Sequence, residues 1–109
     1  MTTVRMLYRQ GRPVGFDASG HTGYAQQGSD IVCSAVSAVT QTAVLGLTQV
    51  LGIQVGLDME DGRLYCILGE ECEGAQLEQA QVILCTMEAG LNAIKEEYGK
   101  FLKITKKEV

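Results

Sequence analysis

Tryptophan is absent, proline and histidine occur once each (Pro13, His21), and lysine and arginine together number 9 against 13 acidic side chains. Each scarcity excludes something. A net charge of −4 does not suit a nucleic-acid binder, which needs a basic patch to displace counterions from phosphates. The lysines that are present gather late, at Lys95, Lys100, Lys103, Lys106 and Lys107, so the rest of the chain is acidic and favours a basic partner or peptide. With one histidine and no C-x-x-C spacing among Cys33, Cys66, Cys72 and Cys85, a four-ligand zinc site is not expected, nor is any other metal or cofactor.

The N-terminus MTTVRMLYRQ lacks the apolar run of a secretory signal, which points to the cytoplasm and to four free thiols. The longest apolar stretch, 31–55, carries Ser34, Ser37, Thr40, Gln41, Thr42, Thr48, Gln49 and Gln54. That polar content reads as a soluble helix followed by a strand, with no membrane partner.

What is there is enough for one domain, residues 1–109, with 46% hydrophobic and 20% charged residues. Val4, Met6 and Tyr8 alternate along a first strand from Thr3 to Arg9, Gln10 to Pro13 mark a turn, and Val14, Phe16 and Ala18 form one face of a second strand. The glycine-rich segment 20–29 predicts a loop. Ser29 or Asp30 then caps a helix running from Ile31 to about Leu51, slender and apolar enough to be buried on most sides or to meet a second copy. A second hairpin follows, with Ile53, Val55, Leu57 and Met59 on one arm, Asp61-Gly62 at the turn, and Leu64, Cys66 and Leu68 on the other. Leu77, Ala80, Leu84, Met87, Leu91, Ile94 and Tyr98 recur at helical spacing, Gly99 stands at the C-cap, and Phe101 to Thr105 form an edge strand. The order ββαββαβ predicts an α+β two-layer sandwich: a mostly antiparallel sheet of about five strands with two helices on one face.

Cysteine chemistry runs through the thiolate, and among the four cysteines Cys33 alone falls at a helix start. With Asp30 as cap it is the third helical residue, where free amides and the helix dipole favour negative charge and can hold an oxyanion. Glu70, Glu71 and Glu73 make Cys72 a poor nucleophile, while Cys66 and Cys85 read as packing residues. His21 is the one histidine available as a base, and twelve residues of glycine-rich chain can bring it back to Cys33. By pattern alone a solvated or turn-forming histidine and a buried helix cysteine are the commoner reading, and a catalytic pair the rarer one. Asp30 reads as a cap or a third catalytic group, and Ser37, one turn on, as an orienting hydroxyl or a small packing residue. Arg5, Arg9 and Arg12 read as a solvated hairpin face.

The segment Gly20 to Ser37, GHTGYAQQGSDIVCSAVS, resembles the bacterial ribosomal-processing cysteine protease family called Prp, with its G-H pair, short glycine loop and D-I-V-C-x-A-V-S. The resemblance implies that His21 and Cys33 are the catalytic pair. It also implies a homodimer that removes the N-terminal extension of ribosomal large-subunit protein twenty-seven, cutting after a pair of aromatic residues. Thr22 and Ser34 stand where many members carry alanine, which bears on fine specificity. The loop residues Gly20, Thr22, Gly23, Tyr24 and Gly28 would close over an extended peptide. Two rival readings use the same residues: a non-catalytic ribosome-assembly partner binding a basic ribosomal-protein tail, and a Cys-His thioesterase or amidase acting on a small acyl group.

Overall fold

The computed structural model describes residues 1–20 and 29–109. Seven regular elements and one short π-helix run in the order β1 (Thr2–Arg9), β2 (Arg12–Ser19), α1 (Ser29–Leu45), a π-helical turn (Gly46–Val50), β3 (Val55–Glu60), β4 (Arg63–Leu68), α2 (Gly74–Tyr98) and β5 (Leu102–Glu108). The ββαββαβ order and the α+β class match the expectation from alternation and helical spacing. The five strands lie in the order β3-β4-β2-β1-β5. Neighbours pair antiparallel except β1 and β5, which run parallel, so the sheet is mixed and its middle is built from β2 and the start of the chain.

Pairing register explains which side chains form the core. Val4 opposes Ala18 and Met6 opposes Phe16, while Ala18 and Phe16 in turn oppose Leu64 and Cys66. Because alternate residues of a strand share a face, these six side chains point to one side of the sheet, and all are buried. α2 crosses that face over β2 and β5 and packs against α1. Gly15 is required by this arrangement: a Cβ there would lie 2.3 Å from the carbonyl oxygen of Cys66 on β4. On the opposite face Arg63 donates to Asp17 through Nε (3.0 Å) and Nη2 (3.1 Å), and its guanidinium stacks over Tyr65.

Several expectations are corrected. α1 is not covered on most sides: Val32, Val36, Thr40, Ala43 and Val44 are buried on one stripe, whereas Ile31 and Leu45 are exposed. The helix also changes pitch at Gly46, where Leu51 N–H bonds back five residues to the Gly46 carbonyl. Segment 31–50 is long and apolar enough, at a mean hydropathy of 1.6, to cross a membrane by length and composition, despite its polar residues. Gly99 is the C-cap of α2, as expected, with helical geometry at φ −58°. Cys85 is exposed and does not pack in the core; it sits on the outer side of α2, next to the buried Leu84.

Candidate active site

The end of β2 (Ala18, Ser19) and the early turns of α1 (Cys33, Val36) line the same cleft. Gly20 adopts φ +100°, a left-handed conformation that glycine takes without strain. A Cβ there would also lie 2.3 Å from the Met1 carbonyl oxygen. Backbone therefore approaches backbone, and only glycine leaves room for it.

α1 begins at Ser29, which puts Asp30 inside the first turn and makes Cys33 the fifth helical residue rather than the third. The amides left free at the N-terminus consequently precede Cys33 instead of including its own. The orienting or capping role assigned to the Asp30 side chain lies outside the described residues, as do His21, Thr22, Gly23, Tyr24 and Gly28.

Cys33 is half-buried and lines a cleft of about 530 Å³. One wall is the α1 face carrying Cys33, Val36, Ser37, Thr40 and Gln41. These residues follow helical spacing, so one sequence stripe produces one chemical surface. Ser37 is on it and exposed, and Gly20 also lines the cleft. Ala18, Ser19 and Thr2 contribute from the ends of the central strands, and the opposite wall is the β3–β4 turn from Met59 to Leu64. Thr40 does not address the cleft with its hydroxyl, which donates to the Val36 carbonyl at 2.8 Å.

Two of the other thiols, Cys66 and Cys72, are buried away from such chemistry. Burial raises the Cys66 thiol from its ordinary 9.0 to about 11. Cys72 is also raised, by burial first and by Glu71 second, so the acidic turn is the lesser cause of its shift. Sequence reasoning missed Thr2, whose hydroxyl donates to Cys33 Sγ across 3.9 Å. Nothing in the local sequence could have found it, because thirty-one positions separate the two residues. The Asp61-Gly62 turn was legible as a turn, though its position across from Cys33 was not.

A cleft with a thiol on its wall and polar, acidic and apolar groups around it can receive an extended chain and attack it. Known proteins sharpen that statement. The family model for cysteine protease Prp matches residues 1–103. The ribosomal processing cysteine protease Prp of Bacillus subtilis (strain 168) is 29% identical over 105 residues, covering 94% of this chain and 93% of that protein. A crystal structure of an essential ribosomal processing protease Prp from S. aureus with a substrate peptide superimposes at a TM-score of 0.86, with 25% identity, over 98% of this chain and 100% of that one. A second structure of the S. aureus protease, with a covalently linked product peptide, superimposes at 0.82 with 26% identity over the same shares. By fold, by sequence over nearly its whole length and by the cysteine at its cleft, the chain belongs to the Prp family of cysteine proteases.

Proposed function

We propose that this protease removes the N-terminal extension of ribosomal large-subunit protein twenty-seven, cutting after aromatic residues, with Cys33 as nucleophile and His21 as its base. The observation that carries the reading is Cys33 on the wall of the cleft between α1 and the β3–β4 turn. An extended peptide suits this groove in two ways. Val36, Met59 and Leu64 offer apolar surface to aromatic side chains, and Glu60 and Asp61 at the turn favour a basic chain.

In the proposed reaction His21 takes the proton from Cys33 Sγ, and the sulfur attacks the carbonyl carbon at the scissile bond. Amides of the first turn of α1 hold the oxyanion. The tetrahedral intermediate collapses as His21 returns the proton to the departing amine. Water, deprotonated by the same imidazole, then releases the acyl group and restores the thiol. The covalently linked product peptide of the S. aureus relative supports a thioester stage of this kind. The exposed Ile31, Leu45 and Val50 on the outer side of the first helical segment support a homodimer, and the cytoplasm is the proposed location.

Incubation with the unprocessed ribosomal protein, followed by intact mass, tests the reading. The wild-type chain should release the extension after its aromatic pair. Cys33→Ala should fall to background, and His21→Ala should lose about 10²- to 10⁴-fold. Cleavage by folded Cys33→Ala at the wild-type rate would overturn the assignment.

A further inference from the structure

Thr2 opens β1, an interior strand beside β2 and β5, and is only 5% exposed. Its backbone is fixed from two sides. The Thr2 amide donates to the Phe101 carbonyl at 2.9 Å, and Gly20 packs so closely on the Met1 peptide that an added Cβ would also come within 3.3 Å of Thr2 Cα. A buried hydroxyl costs free energy unless it finds a partner, and valine would fill the same volume without that cost. The partner here is Cys33 Sγ, at 3.9 Å from Thr2 Oγ1. Among the described residues no other side-chain hydrogen bond to that sulfur is present.

That distance is long for a contact with a neutral thiol. Hydrogen bonds to an ionised acceptor are shorter and about twice as strong, and catalytic contacts often tighten only when substrate or charge is in place. A hydroxyl anchored in the sheet and aimed at a sulfur on a helix therefore has its greatest effect when that sulfur carries negative charge.

We infer that Thr2 is a positioning residue for the nucleophile: its hydroxyl donates to the Cys33 sulfur, fixes the side chain toward the cleft and favours the thiolate that attacks the peptide. The inference rests on the reading of Cys33 as nucleophile. It assigns to the start of β1 a part in the reaction that the Gly20–Ser37 motif does not contain.

The test measures the rate of iodoacetamide alkylation at Cys33 against pH, with the modified site mapped by mass, in wild type, Thr2→Val and Thr2→Ser. Thr2→Val should alkylate Cys33 about tenfold more slowly at neutral pH, with the profile displaced to higher pH, and should lower kcat for peptide cleavage with little change in KM. Thr2→Ser, which keeps the donor, should stay near wild type in both. Superimposable profiles for Thr2→Val and wild type would overturn the inference. So would equal losses in Thr2→Val and Thr2→Ser, since serine keeps the donor and the hydroxyl would then not be what matters. Failure of the nucleophile reading shows separately, as peptide cleavage that survives Cys33→Ala.

Discussion

Cys66 is fully buried on β4 against Phe16 of β2, and burial holds its thiol protonated to about pH 11. The native state therefore keeps a proton that the unfolded chain begins to lose near pH 9.0, so stability present below that pH declines as pH rises toward 11. Cys72, raised by burial and Glu71, and Tyr8, raised by burial and by its hydrogen bond to Glu88, act with the same sign. Thermal unfolding followed from pH 8 to 11 should show a falling midpoint, and Cys66→Val should flatten the part of that fall due to Cys66, roughly 2 kcal/mol at most. An identical slope in the variant would mean the other two groups account for it. The same burial predicts labelling: native alkylation near neutral pH should modify Cys33 and the exposed Cys85 and spare Cys66 and Cys72 until the protein is unfolded. Cys85 at once separates what sequence spacing can say from what it cannot. One position off an apolar helical stripe is either a flank or a surface, and only the placement of α2 over β2 and β5 made it a surface.

Among the elements, the glycines differ sharply in what they permit. At Gly15 the atoms a Cβ would meet are backbone, the Cys66 carbonyl oxygen at 2.3 Å and Ile67 Cα at 2.9 Å, so β2 and β4 would have to separate. At Gly46, where the π-helical turn meets α2, the nearest atom is Ile83 Cδ1 at 3.1 Å, the end of a flexible side chain. Gly15→Ala should therefore cost about 1–3 kcal/mol, lowering the melting temperature by several degrees, whereas Gly46→Ala should change it little. Calorimetry on the pair checks the contrast; equal losses would contradict it. The element boundaries were readable because alternation and helical spacing are local consequences of one buried face. The change of pitch at Gly46 was not, since nothing in the local spacing of 31–51 marks it.

At the scale of the whole molecule, the uncovered surfaces matter most. Leu57 and Met59 lie on the same face as the core of β4 but at the sheet edge, beyond the helices, and remain exposed. Together with Ile31, Leu45 and Val50 they leave apolar area that a single chain does not cover. For the proposed homodimer, light scattering after gel filtration should give twice the 11.7 kDa chain mass; a monomer at micromolar concentration would refute that part of the reading. By itself the sequence determined the element order, the α+β class, the acidic character and, through the Gly20–Ser37 motif, the family and its nucleophile candidate, because each is written in short-range spacing or residue type. Tertiary structure alone decided the parallel pairing of β1 with β5, the β3–β4 turn facing Cys33, and the contact of Thr2 with that sulfur. These join residues far apart in the chain, and their proximity follows from how strands and helices pack rather than from any local pattern.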